Sequence, residues 1–95
     1  MIEKNQLKEW SSNENLPRGF TEWLKEAIRE IEIQDKKEFR QIAYEFGVNP
    51  AILSRWIGGM GPMTQKNIRL LACSLSPVVY TFLGLPRPII DETLA

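Results

Sequence analysis

Three glutamates, Glu22, Glu26 and Glu30, recur at i, i+4 and i+8, a spacing that aligns carboxylates along one helix face. Such a row could serve acid–base or metal chemistry only with partners that this chain lacks. There is no histidine and a single cysteine, Cys73, which excludes an imidazole base, a Cys-His pair, a zinc-type ligand set and an intrachain disulfide. The glutamates therefore read as a solvated face, and Cys73, between Ala72 and Ser74, as a small packing residue. No nucleophile, base and orienting group can be assembled, so no catalytic residue, no metal ligand and no cofactor is expected, and the chain reads as a non-enzyme.

The chemistry left is electrostatic. Twelve basic and twelve acidic residues cancel over 95 residues, yet the signs are segregated. Residues 1–35 carry five basic and eight acidic side chains, a balance of −3. From Lys36 to Leu70, six basic residues (Lys36, Lys37, Arg40, Arg55, Lys66, Arg69) face only Glu38 and Glu45, giving +4, and the remainder is −1. A polyanion responds to the local face presented to it, so the middle third is where one would bind.

A chain of 95 residues makes one domain, and 43% hydrophobic with 25% charged residues is the balance of a soluble globular fold. No run approaches the ~18 apolar residues of a membrane span. The opening Met1-Ile2-Glu3-Lys4-Asn5-Gln6 also lacks the basic-then-apolar layout of a signal peptide. A cytoplasmic location without membrane association is the expectation.

The elements that must position the basic segment are helical. Residues 1–15, with only Ile2, Leu7 and Trp10 as large hydrophobes, read as a flexible or loosely docked arm. Phe20, Trp23, Leu24, Ala27, Ile28 and Ile31 then trace an amphipathic helix, with Trp23 in its core stripe. Asp35 and Glu38 carry the spacing of a capping box and predict a second helix through Phe39, Ile42, Ala43 and Phe46, stopped by Gly47. Asn49-Pro50 predicts a third helix with Ala51, Leu53, Trp56 and Ile57, ending at Gly58-Gly59. Thr64 caps a fourth, with Ile68, Leu71, Ala72 and Leu75 inward. Ser76-Pro77 opens a fifth from Val78 to Leu83, closed by Gly84, and Leu85-Pro86-Arg87-Pro88 should run extended. No alternating strand pattern is present.

Two short helices joined by Gly47-Val48-Asn49 have the make-up of a helix-turn-helix, with small Ala43 at the crossing and Ile42, Phe46, Val48, Leu53 and Trp56 apolar where both must pack on a third. The stretch Phe39-Arg-Gln-Ile-Ala-Tyr-Glu-Phe-Gly-Val-Asn-Pro-Ala-Ile-Leu-Ser-Arg-Trp-Ile-Gly-Gly59 resembles the helix-turn-helix of the XRE family, the phage Cro and repressor-like DNA-binding domains. The matching residues are Ile42-Ala43, Gly47-Val48, Pro50, Leu53-Ser54-Arg55-Trp56 and Gly59, and the likeness runs on through Asn67-Ile68-Arg69 and Leu71-Ala72 to Ser76-Pro77. It departs at Phe39, where a polar residue is common, and in the uncharged loop Gly58 to Gly61.

The resemblance implies an all-α, compact five-helix bundle of the phage-repressor DNA-binding domain type. The expected organisation is an N-terminal arm (1–15), a helix-turn-helix domain (16–84) and an extended C-terminal tail (85–95). It implies sequence-specific binding of double-stranded DNA for transcriptional regulation, read as repression, with helix 49–57 in the major groove. Asn49, Pro50, Ala51, Ser54 and Arg55 would then meet bases, and Lys36, Lys37, Arg40, Gln65 and Lys66 phosphates. A homodimer on a pseudo-palindrome follows, with Val79, Phe82, Leu85, Ile89 and Ile90 as its expected surface. The alternative is an antitoxin or other module that uses the same bundle to hold a protein partner.

Overall fold

The computed structural model describes residues 8–87. Within them lie five helices: α1 (Arg18–Asp35), α2 (Phe39–Phe46), α3 (Pro50–Ile57), α4 (Gln65–Ser74) and α5 (Val78–Phe82). Among the described residues there is no strand, and no helix is long and apolar enough to cross a membrane.

The helix α1 is the spine. Phe20, Leu24 and Ile28, four apart, are buried along its inner edge, and α2, α3 and α5 all pack against it. It runs further than its apolar stripe, to Asp35, where Lys36 turns into the left-handed region at φ +53°. The expectation that Asp35 caps α2 is thereby overturned: Asp35 belongs to the last turn of α1, and Glu38, extended and without a side-chain cap bond, precedes α2. The helix outlasted the local capping signal.

The next two boundaries follow local rules closely. Gly47, at φ +83°, ends α2 while Val48 N–H donates to the Ala43 carbonyl at 3.0 Å. Two residues on, the Asn49 side-chain oxygen accepts the Ala51 N–H at 2.7 Å and Pro50 fills the first position of α3. At α4, the Thr64 hydroxyl accepts the Asn67 N–H at 3.2 Å and the Asn67 side chain returns the bond to the Thr64 N–H at 3.3 Å. Finally, α5 ends at Phe82, one residue before its expected end, and Gly84 lies at φ +76°.

The core is continuous across the bundle: Phe20, Ile42, Leu53, Trp56, Ile68, Leu71 and Val79 are all essentially inaccessible. Val79 and Leu85 are thus interior residues, which removes them from the expected dimer surface. Leu85 N–H donates to the Tyr80 carbonyl at 2.8 Å, folding the start of the tail against α5. Phe82 remains partly exposed and stacks on half-buried Trp23 at 5.5 Å between ring centroids, while Ile89 and Ile90 lie outside the described residues.

Residues 8–16 are not loose. Trp10 and Leu16 are buried, and the segment runs antiparallel to residues 59–63. Trp10 N–H donates to Met63 O and Met63 N–H to Trp10 O, both at 2.9 Å; Gly61 N–H reaches Glu14 O at 3.0 Å and Leu16 N–H reaches Gly59 O at 2.8 Å. The arm expected over residues 1–15 is, from residue 8 onward, a docked ribbon, because the core leaves a seat for the Trp10 indole. Residues 1–7 lie outside the described part.

Gly61 makes the pairing possible. A methyl group there would collide with the Ser11 carbonyl oxygen, a backbone atom that cannot swing aside. Gly61→Ala is expected to cost about 2–4 kcal/mol by forcing the ribbon off the bundle. Urea unfolding measures it, and a loss under about 1 kcal/mol would show that the two backbones part without penalty.

Candidate nucleic-acid interface

Helix α3 has two edges of opposite character. Leu53 and Trp56, three apart, are fully buried, and the Trp56 indole N–H donates to the Pro62 carbonyl, so the helix is fixed in rotation about its axis. The other edge carries Ala51, Ser54 and Arg55, all exposed, with exposed Asn49 and half-buried Pro50 at its leading end. Of the residues expected to meet bases, all five therefore lie on α3 or at its cap. The Asn49 carbonyl oxygen is occupied by its cap bond, which leaves its NH₂ donors for other work.

Arg55 is engaged elsewhere. Its Nε donates to Gly61 O at 2.7 Å and its Nη2 to Ser12 O at 2.6 Å, so one edge of the guanidinium clasps both sides of the ribbon. That edge is half of the fork a guanine would take, and only the remaining donors are open to solvent. Arg55 makes no ion pair with Glu45, which accepts from Lys37 instead, at 2.7 Å.

The residues expected at phosphates fall into two groups. Lys36, Arg40 and Lys66 are exposed, at the α1–α2 corner, in the first turn of α2 and in the first turn of α4. Lys37 is held by Glu45, whose carboxylate keeps the ammonium above the usual lysine range, with a smaller contribution from Asp35. Gln65 is held twice, by its N–H to Glu9 Oε2 at 2.8 Å and by its side-chain amide to Lys8 O at 2.9 Å. Helix α2 packs against both α3 and α4.

The sequence reading missed the ribbon's contribution to this region. Glu9 and Ser12 gave no periodic signal, since their contacts with Gln65 and Arg55 join positions more than forty residues apart. The one available cue was Trp10, a large aromatic alone in a polar stretch. A different surface lies between α1 and the α4–α5 corner, where two adjoining shallow hollows of about 280 and 450 Å³ share Ile31, Asp35 and Leu75. With Glu30 and Glu45 also on their rims, they are acidic and apolar and would repel a polyanion.

Two outcomes follow. Arg55→Ala should lower stability by about 1–3 kcal/mol, with Arg55→Lys restoring only part because it lacks the fork; equal unfolding midpoints for Arg55→Ala and the parent chain would remove the clasp. The Ser11 N–H, which donates to Glu14 Oε1 at 2.8 Å, holds the Glu14 carboxyl below its usual range, with Lys8 adding to the effect. The turn's contribution is then complete at neutral pH and fades as pH falls through the lowered value, so NMR titration of the Glu14 side chain should give a midpoint below that of an exposed glutamate.

No protein-family model, curated protein or solved structure matches the chain.

Proposed function

We propose that this chain is a sequence-specific double-stranded-DNA-binding transcriptional regulator, a repressor by its resemblance to the phage repressor-like domains, with α2 and α3 as its helix-turn-helix. The observation that carries the reading is the division of α3: its inner edge is locked in the core by Leu53 and Trp56, while Asn49, Ala51 and Ser54 stand exposed beside the electropositive segment. A helix held this way can enter a major groove by its leading end without loss of its packing.

The roles follow from the donors each residue keeps. Ser54 hydrogen-bonds either kind of base, Ala51 and Pro50 give apolar contact to a thymine methyl, and the Asn49 NH₂ donates to an acceptor. Arg55 is chiefly a positioning residue, whose free donors reach a base or phosphate while its other edge holds the ribbon. Lys36, Arg40 and Lys66 neutralise phosphates, joined by Lys37, and Gln65 hydrogen-bonds one, when DNA competes for the present partners of the last two. One such domain spans a half-site, so a homodimer would place two copies of α3 about 34–36 Å apart along the duplex.

Duplexes selected from a random pool, followed by anisotropy titrations across a salt series, test this directly. Binding should weaken with a log–log slope of about −0.9 for each phosphate neutralised. Lys66→Ala should flatten that slope by about 1 without changing sequence preference, and Ser54→Ala should relax discrimination at one base position while keeping the slope. A chain that holds no duplex, or holds it with no salt slope, is not a DNA-binding protein, and the protein-binding alternative takes its place.

A further inference from the structure

We infer that the trough between α1 and the α4–α5 corner is a docking surface for a cationic amphipathic helix of a partner protein. The apolar edge of that helix would lie on Trp23, Ala27, Ile31 and Leu75, and its lysines or arginines would face the glutamate row of α1. No α3 residue lines the trough, so the inference stands or falls independently of DNA binding.

Two rows run side by side along α1 with a period of four. Trp23, Ala27 and Ile31 form one and are only half-buried; Glu22, Glu26 and Glu30, each one position earlier, form the other and are exposed. The apolar row is the α1 wall of the two adjoining hollows, about 280 and 450 Å³, and Leu75 closes the opposite side. At its upstream end the apolar ground continues to Phe82, stacked on Trp23. The acidic row is left largely unmatched. Glu22 takes Arg18 at 3.3 Å, but Glu26, Glu30 and, at the far end, Asp35 form no ion pair among the described residues. Like charges at i and i+4 cost a helix stability, and open apolar surface costs more, so the isolated chain carries two burdens on one face that a single partner would lift.

The chemistry of that partner follows from complementarity. The long wall of the trough is the middle of α1, whose backbone groups are already bonded to one another. An extended peptide laid there would leave its own N–H and C=O groups without partners over apolar side chains, whereas a helix satisfies them internally. From Trp23 to Ile31 the row spans about 12 Å, so anchors at i, i+4 and i+7 of an incoming helix cover it. Basic residues flanking those anchors pair with Glu26 and Glu30 and end their repulsion. A nucleic acid or an anionic membrane is repelled by the same groups, and a second copy docked by this face on itself would set one glutamate row against another.

The test titrates the full chain with two synthetic peptides and follows backbone amides by NMR. The first peptide carries leucines at helical spacing with lysines on both flanks; the second has the same composition scrambled, so that no apolar edge forms. The first should shift the amides of Trp23, Ala27, Ile31 and Leu75, and should bind about 10-fold tighter than the scrambled peptide, the worth of one well-buried leucine. A double variant, Glu26→Gln with Glu30→Gln, changes only exposed side chains and should weaken binding about 3- to 10-fold at low salt, the difference shrinking as salt rises. Equal binding of the two peptides, shifts confined to another part of the bundle, or a double variant that binds as tightly as the parent would overturn the inference. So would concentration-dependent shifts at Ala27 and Ile31 in the chain alone, which would assign the face to a second copy. None of these results bears on duplex binding by α3.

Discussion

The close approach of Ser11 to Gly61 governs how the rest of the molecule is held. At that point two backbones pass with no room for a side chain, and the bonds on either side of it, from Trp10 to Leu16 and from Gly59 to Met63, depend on the spacing it sets. The second strand of this ribbon is the connection between α3 and α4. Trp56 and Arg55, both from α3, bond to carbonyls of that connection, so the exit of α3 and the entry of α4 are fixed by the same few residues. A glycine with no periodic role in the sequence thus pins the connection between α3 and α4.

The legible parts of the sequence were those whose cause is local. Asn49-Pro50 and Thr64 announced the starts of α3 and α4, and Gly47 the end of α2, because capping involves groups within four residues of one another. Buried Leu53 and Trp56 likewise followed from helical period, whereas the outward placement of Ala51, Ser54 and Arg55 came from the family resemblance. The Asp35–Glu38 pair shows the limit of such reasoning: a plausible cap lost to a helix already stabilised by Phe20, Leu24 and Ile28. What stayed illegible was non-local. Nothing near Arg55 in sequence says that Ser12 O will be its acceptor, and nothing near Gln65 points to Glu9.

Charge balance overstates what is free within the basic segment. Of the cations in the +4 segment, Lys37 is matched by Glu45 and part of Arg55 by two carbonyls, so the field offered to a partner is smaller than counting suggests. Lys36 at the α1–α2 corner, Arg40 in α2 and Lys66 in α4 stay exposed and carry positive charge that no side chain matches among the described residues.

The ribbon also dictates an order of events during synthesis. Trp10 emerges early, but the Met63 with which it exchanges hydrogen bonds is made 53 positions later. At roughly 5–20 residues per second the indole waits about 3–10 s for its partner strand to be made. Trp10 precedes all five helices yet is among the later residues of the bundle to find its place.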